Sequence, residues 1–150
     1  MPKHPVTWIA VADGAQARIL TTTNGREFAV VEELASADAH TRSHDLVSDR
    51  SGRGHESMAP SHHAIEARHD PHMLAKQTFL RDVAYRLLRA ANEQRYERLV
   101  LVAPSRQLGD LRGCLDDQVR KKVTIEHVKD LTNLPLAELS QRLAALFQPQ

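Results

Sequence analysis

Thr7-Trp8-Ile9-Ala10-Val11-Ala12-Asp13-Gly14 is the stretch that decides how this chain is read. It is apolar almost without interruption, it has the length of a strand, and its β-branched and aromatic side chains fit a pleated surface. A strand without polar alternation is buried on both faces, which places it inside a sheet rather than at an edge. Asp13-Gly14 closes it with two residues that tolerate a sharp change of direction.

Working outward, Ala17-Arg18-Ile19-Leu20-Thr21-Thr22 reads as a second strand and Phe28-Ala29-Val30-Val31-Glu32-Glu33-Leu34 as a third. Between them Asn24-Gly25 suits the positive φ angles of a tight hairpin turn, so the first third of the chain is an antiparallel meander. Asp70-Pro71 supplies an N-cap and a proline at the first helical position. Leu80, Val83, Ala84, Leu87, Leu88 and Ala91 then recur at helical spacing. The opposite face carries Lys76, Arg81, Arg86 and Arg89 and reads as solvated surface.

Leu99-Val100-Leu101-Val102-Ala103, bounded by Pro104, reads as a fully buried parallel strand. Ser105 is placed to cap a helix with Leu108, Leu111, Leu115 and Val119 on one face. Gly109 and Gly113 weaken that helix by about 1 kcal/mol each relative to alanine. Val123 to Val128 alternates as a half-buried strand does. Asn133 or Thr132 is placed to cap a last helix with Leu136, Leu139, Leu143, Leu146 and Phe147 as its buried stripe. The order βββ-α-β-α-β-α predicts an α/β fold: a mixed five-stranded sheet covered by helices, with the first strand near the middle, in the ribonuclease H-like arrangement.

A chain of 150 residues with 41% hydrophobic content suits one domain over residues 1–150. Twenty basic and nineteen acidic residues leave a formal charge of +1, so any basic surface must be local. Cys114 is alone and forms no internal disulfide. No charged segment followed by an apolar core opens the sequence, which predicts a cytoplasmic location. No apolar run approaches the roughly eighteen residues that span a bilayer, so direct membrane insertion is not expected.

From Ser36 to Asp70 the pattern dissolves into Ser, Asp, His, Arg and Gly. A long flexible loop of this kind is uncommon in a compact domain and is the first place to look for activity. Arg42, Arg50, Arg53 and Arg68 suit phosphate contact, although Asp45, Asp49, Glu56, Glu66 and Asp70 nearly cancel their charge. Seven of the nine histidines, His40, His44, His55, His62, His63, His69 and His72, fall in or beside the same stretch. Of these His62, His63, His69 and His72 are the metal candidates. No recognised ligand spacing accompanies them, so a solvated, pH-responsive loop is the plainer reading.

A ribonuclease H-like topology raises the question of two-metal nuclease chemistry, which needs several converging carboxylates. Asp13 ends the first strand, but the fourth runs into Ala103-Pro104 without an acid, and an aspartate before glycine commonly shapes a turn. Cys114 has no histidine and acid beside it and reads as packing. Asp110 and Arg112 are read either as part of a partner-binding surface or as a structural ion pair. No motif calls for a cofactor.

Four stretches together resemble the bacterial host attachment protein family. They are Trp8 to Ile19, Ser48-Asp49-Arg50-Ser51-Gly52-Arg53, Leu99 to Pro104 with Leu108-Gly109-Asp110-Leu111-Arg112, and Lys129-Asp130-Leu131. Where the family pattern often has proline this chain has Ser51, which loosens the loop. The family's name implies binding to host cells. Its fold is similar to the middle domain of archaeal and eukaryotic release factors and of Pelota-type rescue factors, which implies a ribosomal partner. Release factors carry Gly-Gly-Gln on a loop into the peptidyl transferase centre; here the equivalent loop offers Ser51-Gly52-Arg53-Gly54-His55 and no glutamine. The resemblance therefore implies a non-catalytic domain that binds ribosomal RNA, tRNA or a ribosome-associated protein. Arg42, Arg50, Gly52, Arg53, Gly54, His55 and Arg68 are its contact residues. A host-surface interaction protein is the alternative, and an RNA-directed hydrolase a weaker one.

Overall fold

A computed structural model describes residues 5–36 and 71–148. Three strands, β1 (Thr7–Ala12), β2 (Gln16–Thr22) and β3 (Ala29–Ala35), precede helix α1 (Pro71–Asn92). They are followed by β4 (Arg98–Ala103), α2 (Ser105–Cys114), the short α3 (Asp117–Arg120), β5 (Val123–Val128) and α4 (Leu136–Leu146). The five strands form one sheet in the order β3-β2-β1-β4-β5, with β1 antiparallel to β2 and parallel to β4. This is the mixed ribonuclease H-like arrangement that the apolar runs predict, with β1 at its centre.

All six residues of β1 are buried because both faces of the sheet are covered. Trp8, Ala10 and Ala12 point into a core built with Leu80, Val83, Leu87, Leu108, Leu111 and Val119 from α1, α2 and α3. Ile9 and Val11 point the other way, onto Leu139 and Leu143 of α4. Both edge strands carry an irregularity: register shifts leave Val31 in β3 and Thr124 in β5 without a partner position. Such bulges bend an edge and discourage pairing with other chains.

Several local expectations are corrected. Asn24-Gly25 does lie in the β2–β3 connection, with Gly25 at φ +71°, but the turn is not a two-residue one. Asn24 acts through its side chain, whose Oδ1 accepts from the N–H groups of Arg26 (2.8 Å) and Glu27 (2.9 Å). A Cβ on Gly25 would lie 2.9 Å from that of Phe147, so both the φ angle and the close helix end require glycine. Leu115 does not continue α2. Its backbone is extended, and the Asp116 side chain accepts from Gln118 N–H to start α3, although Leu115 and Val119 are buried as the spacing predicts. Ser105 is the first residue of α2 rather than its cap. Pro104 and Pro135 occupy the N-cap positions of α2 and α4 without side-chain capping bonds. Leu136, at the start of α4, is exposed rather than part of the buried stripe.

Candidate functional site

The parallel strands β1, β4 and β5 end on one side of the sheet, the side on which open α/β sheets bind ligands. Three connections meet there. Asp13 turns the chain after β1: its Oδ1 accepts from the N–H groups of Ala15 and Gln16, both at 2.7 Å. The chain after β5 returns to the same place, tied by Lys129 N–H to Ala103 O at 3.0 Å. Thr132, which is buried, then sets its hydroxyl between Asp13 Oδ2 (2.8 Å) and Asp130 Oδ1 (3.0 Å). A hydroxyl has one proton, so these two carboxylates share it.

The elements on either side of residues 37–70 both touch this turn. Ser36 N–H donates to Ala15 O at 2.7 Å, which fixes the exit from β3. On the other side of the segment, in the second turn of α1, the stem of Lys76 lies against Gly14, so close that a Cβ there would meet Lys76 Cγ at 2.6 Å. Arg106 of α2 donates to Met73 Sδ of α1 at 3.4 Å and draws the starts of the two helices together. Beside the turn, Arg18 donates through Nη1 to Leu134 O, and its Nε lies 3.3 Å from Glu33 Oε2. That second approach is a charge contact: the buried Nε lacks the geometry of a hydrogen bond.

The expected contact residues Arg42, Arg50, Gly52, Arg53, Gly54, His55 and Arg68, and the metal candidates His62, His63 and His69, lie outside the described residues. His72 is exposed in the first turn of α1. Among the described residues no three His, Cys, Asp or Glu side chains gather as metal ligands. Asp13 has the turn-shaping role that its position before glycine suggested. Asn133 or Thr132 was expected as a helix cap; the Thr132 hydroxyl instead meets Asp130, two positions away, and Asp13, 119 positions away, which nothing local announces. Arg112 does form an ion pair, but its partner is Glu126 of β5 rather than Asp110. That hydrogen bond holds the Glu126 carboxyl below its ordinary range and the Arg112 guanidinium above its own.

Among the described residues no helix is long and apolar enough to cross a membrane. The chain is similar in structure to an archaeal translation termination factor, aRF1, with a TM-score of 0.51 and 14% sequence identity. The similarity covers 95% of this chain and 36% of the factor, so the chain spans about a third of it. A second solved structure, described as an archaeal protein, gives a TM-score of 0.49 at 14% identity, over 89% of this chain and 32% of that one. No curated protein sequence matches. Residues 8–143 match a family described as proteins required for attachment to host cells, and to that host attachment family the chain belongs.

Proposed function

We propose that this chain is a non-catalytic, cytoplasmic RNA-binding domain, contacting ribosomal RNA, tRNA or a ribosome-associated protein through residues 37–70. The observation that carries the reading is the fold shared with the archaeal termination factor across nearly the whole chain. The contacts of Ser36 and Lys76, on either side of the segment, with the residues after Asp13 add support, because the strand ends are where such sheets present their binding elements. Arg42, Arg50, Arg53 and Arg68 supply the phosphate contacts, Gly52 and Gly54 allow close backbone approach, and His55 adds a further polar contact. The family's description favours a second reading, in which the same segment meets a host-surface partner.

Replacing Arg50 and Arg53 together with alanine tests both. With two phosphate contacts gone, affinity for purified ribosomes falls, and the log-log dependence on salt becomes shallower by roughly 1.4, at about 0.7 per contact with a single strand. Equal ribosome binding by wild type and double variant removes the role given to these arginines. Absence of binding by either favours the host-surface reading.

A further inference from the structure

At the other end of β1 from the Asp13 turn, the surface holds a concavity of about 170 Å³ lined by Trp8, Glu32, Arg86, Arg89, Glu93 and Arg95. Its three arginines are not equivalent. Arg86 is engaged by Glu32 of β3 and lies 3.5 Å from Asp82. Arg89 and Arg95 make no ion pair or hydrogen bond through their side chains among the described residues. Arg89 lies 5.9 Å from the Tyr85 ring centroid, and Arg95 lies 5.0 Å from that of Trp8. A ring face holds a guanidinium in place without using its N–H fork, so both forks stay available for a bidentate oxyanion.

The backbone fixes Arg95 before any ligand arrives. Helix α1 ends in a Schellman motif in which Gln94 N–H donates to Ala91 O and Arg95 N–H to Ala90 O, both at 2.9 Å. Gln94 sits at φ +57°, a left-handed conformation usually left to glycine. Trp8 forms the floor but is only 4% exposed, and Tyr96 stacks on it at 4.9 Å, so no ring face is open to a nucleobase. The ligand chemistry that remains is a compact anion.

We propose that Arg89 and Arg95 bind a phosphate group over the Trp8 floor, either free or within an RNA backbone, while Glu93 on the rim weakens the attraction. The site is separate from residues 37–70 and does not depend on their role.

Trp8 is the single tryptophan of the chain, so its fluorescence reports occupancy directly. Titration of the full chain with pyrophosphate, and separately with a short oligouridylate, is read against sodium chloride at matched ionic strength. The expected result is a saturable change in Trp8 emission, with a dissociation constant raised roughly tenfold in Arg89→Ala and lowered several-fold in Glu93→Gln. Both residues are exposed, so neither variant disturbs the core. Response to both probes assigns the phosphate to an RNA backbone, and response to pyrophosphate alone assigns it to a free ligand. The Arg50 and Arg53 double variant should keep the Trp8 response whatever becomes of its ribosome binding. No saturable change with either probe, or unchanged affinity in both Arg89→Ala and Glu93→Gln, overturns the proposal.

Discussion

The two ends of β1, about 16 Å apart at 3.3 Å per residue, treat charge in opposite ways. At the Asp13 end the carboxylate is committed to two backbone N–H groups and the Thr132 hydroxyl, all within the fold. At the Trp8 end, Arg89 and Arg95 are held by ring faces and keep their hydrogen-bonding capacity. Fold analogy would look for chemistry at the strand-end acid. The bonds instead make that acid a structural fastener, which is a reminder that a shared topology does not carry an activity with it.

The sharpest break of this comparison is Asp13→Ala. It removes the acceptor for the Ala15 and Gln16 N–H groups and one of the two carboxylates that share the Thr132 proton, and hydrogen bonds to a charged group contribute about 1.5–3 kcal/mol each without adding fully. A loss of about 3 kcal/mol is expected, read as a lower urea midpoint with an unchanged slope. Asp13→Asn keeps an acceptor for the turn and should lose about 1 kcal/mol. Arg89→Ala, at the other end, should move stability by no more than about 0.5 kcal/mol, as exposed substitutions do. Equal effects of Asp13→Ala and Arg89→Ala would erase the distinction between the two ends.

The same contrast explains what could be read from the amino-acid order. The unbroken runs of β1 and β4 announce central strands, and the helical repeat from Leu80 to Ala91 announces α1, because burial periodicity is local. Contacts between distant residues leave no such mark. Thr132 looks like a cap until its hydroxyl meets Asp13, and Arg112 reads as either a partner surface or a pair with Asp110 until β5 brings Glu126 beside it. Leu115 fits the α2 stripe, yet the Asp116 side chain restarts the helix one step later. Gln94 gives no warning of a left-handed cap because the residue that usually signals one is glycine. The arginines between residues 37 and 70 are legible only as composition and family resemblance.

A smaller effect sharpens the comparison at the Trp8 end. Gln94→Gly should relieve the left-handed backbone and stabilise the chain by about 1 kcal/mol, since a non-glycine residue in that region costs about 1–2 kcal/mol and glycine gives part of this back in the unfolded state. Thermal unfolding measures it. Because the Schellman bonds are made by backbone atoms, Arg95 should stay over Trp8 and the fluorescence of Trp8 should not change. A loss of stability would mean that the Gln94 side chain contributes something beyond its backbone.

The smallest effect concerns a charge that is committed but lies on the surface. Arg112 and Glu126 pair at side-chain exposures of 52% and 31%, so solvent and salt screen them as they do not screen Asp13 and Thr132. The hydrogen bond from Arg112, aided by its charge, holds the Glu126 carboxyl below the ordinary carboxylate range. For a carboxyl depressed in the folded state, the added stability is complete above the unfolded value and is lost as pH falls through the folded one. An NMR titration should therefore place the Glu126 midpoint below the ordinary carboxylate range in the wild type and return it to that range in Arg112→Ala. High salt should shrink the wild-type shift and leave the variant almost unmoved. A depressed midpoint that survives removal of Arg112 would show that another group on β5 or α2 holds the charge, and the pair would then lose its place beside the Asp13 turn as a committed contact.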